Sequence, residues 1–340
     1  MNTTTPFALK LAGIALLSLA VACDGADTDP MDTDDTTDTD DTDDITDTDG
    51  DDTDGDDTDA EPTQSIYEIA TSNHDFSTLK AAIDYAELDG TLSASGTFTV
   101  FAPTNAAFDA ALTDLGVTEL TDLGTPQEVA TILLYHVLGA TVRAANVAAG
   151  PVATLSQNEW EAPMSFFIGT EGGVTINDAN VTATDISATN GVIHVLDMVL
   201  MPPTLYEAAG FAGLTGLTGA IEAADATTSL RNVLNGEGPL TVFAPTNAAF
   251  TAVAAIVADL PGSTITTAVQ THVITGSYVT SGDLTNGDVT TASFVDVTID
   301  ADATPPTVSW DNTANIIGPD LHVSNGVVHM IDAVLLPDLD

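Results

Sequence analysis

The sequence predicts an α+β protein built from two copies of one module. The string Thr-Val-Phe-Ala-Pro-Thr-Asn-Ala-Ala-Phe occurs at 99–108 and again, unchanged, at 241–250. An identity of that length is far beyond chance. Within each copy, helix-type patterns come first and strand-type patterns last, without the regular alternation that builds a parallel α/β sheet. A chain of 340 residues, 44% of them hydrophobic, also suits two domains of roughly 130–140 residues plus extensions.

The amino terminus reads as an export signal. Lys10 precedes a short apolar run at 11–22 (LAGIALLSLAVA), too few residues to span a bilayer as a stable helix. Its end, Leu19-Ala20-Val21-Ala22-Cys23, resembles a bacterial lipobox, so residues 1–22 are expected to be removed and Cys23 lipidated. The alternative is ordinary secretion with cleavage after Ala22 and a free thiol. Cys23 is the single cysteine, which excludes an intramolecular disulfide. Asp24 directly after it resembles an inner-membrane retention signal of enteric bacteria, a rule that varies among lineages.

Residues 23–62 are expected to form a disordered stalk. From Asp24 to Glu61 there are 19 Asp, one Glu and no basic residue, with no apolar periodicity. Fully stretched, the segment reaches on the order of 130 Å. An EF-hand calcium loop needs an acidic first position and Gly at the sixth. Placing Gly50 sixth puts Ile45 first, and placing Gly55 sixth puts Gly50 first, so neither frame fits. Weak, diffuse calcium binding by the stalk is the residual expectation. No other cofactor or metal is expected.

The modules follow at 63–203 and 204–340, with Pro202-Pro203 as a short boundary that predicts a fairly stiff pair. Each opens on a similar helix start, Ser65-Ile66-Tyr67-Glu68 and Thr204-Leu205-Tyr206-Glu207. In the first, Leu79, Ile83 and Ala86 share one helical face. Thr97 to Ala102 is a strand that stops at Pro103, and a helix starts at Asn105. Thr125-Pro126-Gln127-Glu128 is a capping box with Pro at the first helical position, predicting a helix through about Leu138. Residues 192–200 read as a strand too apolar on both faces for a sheet edge. In the second module, 248–260 is an Ala-rich helix stopped by Pro261-Gly262, and Val295, Val297 and Ile299 alternate as a strand.

These motifs resemble the fasciclin-like domain family over essentially residues 63–340. TVFAPTNAAF and the closing strings NGVIHVLDMVLMP (190–202) and NGVVHMIDAVLLP (325–337) are similar to its two conserved blocks. Leu134-Tyr135-His136-Val137 is similar to its central tyrosine–histidine motif. The resemblance implies a β-wedge or sandwich packed with helices, in extracellular proteins that mediate adhesion or matrix contact and are not generally enzymes. The second module has Thr271-His272 at the motif, so Tyr135 has no counterpart there.

Candidate contact residues are Tyr135, His136, His272, Asp185 and Ile186. The last two resemble an Asp-Ile pair that animal members place similarly, with Asp320-Leu321 its counterpart. For His136 a half-buried packing role competes with surface contact. Pro103, Thr104 and Asn105, with Pro245, Thr246 and Asn247, read as a strand-to-helix turn with its cap. His194 and His329 each begin an H-x-x-D pattern, with Asp197 and Asp332. On a strand, residues three apart face opposite ways, so burial with a hydrogen bond to loop backbone is the favoured role over metal ligation.

The chemistry of catalysis is absent from the motifs. There is no G-x-S-x-G, no Cys/His metal spacing and no Gly-rich phosphate loop. Four Lys and Arg against 51 Asp and Glu give a formal charge of −47, which repels nucleic acid and anionic membrane surfaces. The expected function, implied by the family resemblance together with the export signal and stalk, is non-enzymatic adhesion. A lipid-anchored envelope protein, at the outer membrane or cell surface, would present two modules to a protein or polysaccharide of the matrix or a neighbouring cell. Two alternatives are an envelope binding protein with an inter-module groove lined by Trp160 or Trp310, and calcium-responsive organisation through the stalk.

Overall fold

Capping side chains set where each module begins. The computed structural model describes residues 61–337; the expected export signal, Cys23 and residues 24–60 of the expected stalk lie outside the described residues. Ser65 accepts from the Glu68 amide while Glu68 Oε2 accepts from the Ser65 amide at 2.7 Å. This reciprocal pair starts α1 (Ile66–Ser72), and Thr204 with Glu207 starts the equivalent α6 (Leu205–Phe211). In the first module α2 (Ser77–Tyr85) and α3 (Asp89–Ser93) follow. Leu79 and Ile83 face inward, and Ala86 just beyond the end of α2 is buried with them.

Strand β1 (Phe98–Pro103) then leads into α4 (Asn105–Leu115) and α5 (Pro126–Tyr135). The remaining strands are β2 (Val137–Leu138), β3 (Gly150–Gln157), β4 (Pro163–Gly169), β5 (Thr175–Ile176), β6 (Ala179–Ala188) and β7 (Gly191–Leu196). Their sheet order is β2-β1-β7-β6-β5-β4-β3. All neighbours are antiparallel except β1 and β7, which run parallel in register from Phe98 opposite Gly191 to Pro103 opposite Leu196. The apolar closing strand thus lies in the sheet interior, and the chain leaves the sheet after Leu196. Helix α5 ends earlier than its sequence pattern. His136 caps it, and Val137 and Leu138 pair with Val100 and Thr99. Backbone pairing with β1 overrides the continued apolar run, which periodicity alone cannot assign.

The second module repeats this plan with α7 (Thr215–Thr228), α8 (Leu230–Leu234), β8 (Leu240–Pro245), α9 (Asn247–Ala258), α10 (Gly262–Thr271) and β9 (Val273–Thr275). It closes with β10 (Gly287–Thr290), β11 (Asp296–Asp300), β12 (Thr307–Ser309), β13 (Thr313–Val323) and β14 (Gly326–Ile331). The order β10-β11-β12-β13-β14-β8-β9 again has one parallel pair, β8 with β14. On β11, Val297 and Ile299 point inward between exposed neighbours.

Each sheet buries apolar side chains on both faces. In the first module the helical side collects Ile66, Phe76, Leu79, Ile83, Phe108 and Leu133. The opposite face collects Phe101, Tyr135, Met164, Phe166 and Ile176. There Phe166 stands edge-on to both Phe101 (5.2 Å between ring centres) and Tyr135 (6.1 Å), a favoured aromatic geometry.

Candidate functional site

The repeated string is a turn with a staple. Strand β1 ends at Pro103, and Thr104 caps α4 by accepting from the Ala107 amide. Asn105 then reaches back to α2: its Oδ1 accepts from the Thr78 amide at 2.9 Å, and its Nδ2 donates to the His74 carbonyl at 2.9 Å. Thr246 and Asn247 repeat both roles after Pro245, Asn247 holding the Gly216 amide and the Gly213 carbonyl. One polar side chain in each copy therefore ties the start of one helix to the start of another.

The tyrosine–histidine motif lies inside the molecule. Tyr135 is 0% exposed, His136 2% and His272 3%. These three candidates for surface contact are thereby corrected to interior residues, because a side chain without accessible area cannot touch a partner. The Tyr135 hydroxyl donates to the Ser165 carbonyl at 2.8 Å and accepts from Asn177 Nδ2 at 3.3 Å; burial pushes its ionisation up. In the second module Thr271 occupies the place and bonds the Thr267 carbonyl and Ser293 Oγ, each at 2.8 Å.

His136 donates from Nδ1 to the Ile132 carbonyl and accepts at Nε2 from the Leu200 amide, both at 2.8 Å. His272 donates from Nδ1 to the Ala268 carbonyl at 2.7 Å and accepts from the Leu335 amide at 3.0 Å. Both rings need one protonated and one bare nitrogen, so they are neutral. Burial lowers each to about 4, the backbone carbonyl offsetting part of that shift.

His194 and His329 tether the loop after the second strand of each module. Their Nε2 atoms donate to the Val142 and Val279 carbonyls, both at 2.8 Å, and their Nδ1 atoms accept from the Asp185 and Asp320 amides. Asp185 and Asp320 adopt φ of 60° and 59°, a left-handed conformation that Asp tolerates better than most residues. Asp185 Oδ1 accepts from the Ala144 amide at 3.0 Å, and Asp320 Oδ1 accepts from the Ser281 amide at 2.7 Å. Ile186 is half-buried against the helical-side core. Asp197 and Asp332 turn away to bind Asn180 and Asn315, so neither H-x-x-D pattern converges. Among the described residues no group of three or more His, Cys, Asp or Glu is placed to hold a metal ion.

Two sets of residues escaped the sequence reading. Asn190 is 3% exposed; its Oδ1 accepts from the Ile66 amide, and its Nδ2 donates to the Leu92 and Ala94 carbonyls. Asn325 makes the same three bonds to Leu205, Leu234 and Gly236. Both open the closing string Asn-Gly-Val, and that recurrence was the available signal.

The second set joins the modules, and of it the sequence places only Trp160 at the inter-module contact, as a groove-lining residue. Between β3 and β4, Asn158 Oδ1 accepts from the Trp160 and Ala162 amides, both at 3.1 Å. Its Nδ2 donates across the junction to the Tyr278 hydroxyl (3.2 Å) and the Val323 carbonyl (3.1 Å). Trp160 stacks on Tyr278 with ring centres 4.4 Å apart and planes 14° off parallel. Phe167 of β4 enters the second module's core beside Leu205 and Leu240. Trp310, by contrast, packs against the second module's own clusters.

Residues 74–202 and 212–337 each match the Fasciclin domain family. The chain is similar to Protein sll1483 of Synechocystis, with 44% identity over 139 residues, which is 41% of this chain and 74% of that protein. It is also similar to the pig transforming growth factor-beta-induced protein ig-h3, with 36% identity over 152 residues. That alignment covers 42% of this chain but only 20% of ig-h3. Among solved structures, a FAS1 domain pair from the insect cell adhesion molecule Fasciclin I aligns over 80% of this chain and 95% of its own, with 18% identity and a TM-score of 0.46. The repeated capped turn, the buried histidine and the closing strand beside β1 recur in both matched segments, and the chain belongs to the fasciclin domain family.

Proposed function

We propose that this chain is a non-enzymatic adhesion or matrix-contact protein of the cell envelope, carrying two fasciclin domains on an acidic tether from a lipidated Cys23. The tandem pair is the observation that carries this reading, since fasciclin domains are linked to cell adhesion and matrix contact. Its partner would be a surface protein or polysaccharide. Two contact faces on one tether raise the effective concentration for the second contact, so individually weak contacts can hold. The geometry supports a scaffold role for the conspicuous polar residues: His136, His194, His272 and His329 all spend their ring nitrogens on backbone groups.

The test is deletion of residues 62–340 in the source cell, leaving the export signal and the stalk. Surface attachment or cell–cell cohesion should fall; unchanged cohesion would refute the reading. Protease shaving of intact cells separately reports whether the domains face outward, with release of both expected. The groove alternative has less support, because Trp160 is stacked on Tyr278 and Trp310 packs within the second module.

A further inference from the structure

The internal repeat shows how the junction was made. Val142 and Val279 receive equivalent histidine bonds, so Thr141 corresponds to Tyr278. Ser187 and His322 each stand two residues after the left-handed aspartate, so they correspond as well. The β3–β4 turn at 158–162 and the β10–β11 turn at 291–295 share the same two backbone hydrogen bonds. Asn158 and Trp160 therefore correspond to Thr291 and Ser293. At all four positions the chain carries a junction-forming side chain on the module that uses it and a small polar one on the other. Gly238 completes the fit: a Cβ there would come within 2.8 Å of the Trp160 ring.

The four side chains form a relay. Tyr278 stacks on Trp160 and meets His322 at its hydroxyl end, the two rings 5.9 Å apart and 23° off parallel. Its hydroxyl lies 2.6 Å from His322 Nδ1 and already accepts from Asn158 Nδ2, so the tautomer that leaves Nδ1 bare gives the phenol proton its acceptor. The hydroxyl thus accepts from Asn158 and donates to a bare imidazole nitrogen. Protonating Nδ1 removes that acceptor and leaves the phenol proton, half-buried, without its partner.

We propose that this junction is an acid-sensitive latch, in which neutral His322 holds Tyr278 against the first module's turn and protonated His322 releases it. The titratable groups that interact with His322 are Asp320 on its own strand and His329 on the adjacent β14, while Glu159 and Glu161 are exposed on the first module's turn that carries Asn158 and Trp160. Burial is the largest influence on His322 and lowers it, with Asp320 acting the other way. The latch is therefore closed at neutral pH and opens below the ordinary imidazole range. It is independent of what the domains bind.

The full chain labelled with 5-fluorotryptophan gives two ¹⁹F resonances, assigned by Trp310→Phe. On titration from pH 7.5 to the onset of unfolding, the Trp160 resonance should show a titrating shift that Trp310 lacks. His322→Gln, which cannot gain a charge, should abolish that shift, and Tyr278→Phe, which keeps the stack but not the relay, should do the same. A Trp160 resonance that does not move, or that moves equally in His322→Gln, would overturn the latch. Because Trp310 reports folding of the second module in every sample, a misfolded variant is recognised and replaced by His322→Asn.

Discussion

Acidification should cost this protein stability through two buried histidines, His136 and His272. His136 and His272 are lowered from 6.5 to about 4 in the folded chain, and unfolding returns them to about 6.5. Between those values the unfolded chain binds more protons, so stability rises with pH across the window and is lost as pH falls through 6.5 towards 4. At pH 5 the loss relative to pH 7.5 is about 2 kcal/mol for each histidine. Because each ring is almost fully buried, little solvent screening reduces this. Surface carboxylates act oppositely, since protonating them relieves repulsion within a strongly acidic chain. Long-range ¹⁵N spectra of the imidazole rings separate the two effects by reading each histidine directly. Both rings should show a protonated Nδ1 and a bare Nε2 at pH 7.5 and remain neutral at pH 5. Titration of either near 6.5, or the opposite tautomer, would refute the buried donor–acceptor arrangement and the stability loss built on it.

Three further outcomes follow from the packing. Asn190→Ala removes three hydrogen bonds, two of them buried, and should cost about 3 kcal/mol in denaturant unfolding, and Asn325→Ala should do the same to the second module. Gly191→Ala would place a Cβ 2.0 Å from the Phe98 carbonyl oxygen at φ 153°, so loss of more than about 3 kcal/mol is expected in the same measurement. Tyr135→Phe removes the bond to Ser165 and the acceptor for Asn177, and should lower stability by about 1–2 kcal/mol with an unchanged far-ultraviolet spectrum.

The parts legible in the sequence were those written in local backbone chemistry. Ser65 with Glu68, Thr125-Pro126 with Glu128, and Pro103-Thr104-Asn105 each place a helix start through groups only a few residues apart. What escaped was decided at long range. The amphipathic pattern of α5 continues to Leu138, and only the presence of β1 alongside converts its last two residues to strand. Tyr135 and His136 carry polar atoms that suit a surface equally well; their partners Ser165, Asn177 and Leu200 come from distant segments. Apart from Trp160, the junction was illegible for the opposite reason. Tyr278 and His322 depart from the repeat, and nothing in either copy alone indicates that a neighbour will cover them.

Pairing the first and last long strands of each module also governs when it can form during synthesis. Phe98 finds its neighbour only when Gly191 has emerged, and Leu240 only when Gly326 has. Until then the nascent chain can wind its helices, but β1 and β8 each lack the partner that places them inside a sheet. Long-range closure of this kind is entropically late and slow. Each module is thus completed in one event at its own end, and the second gains its docking neighbour already built.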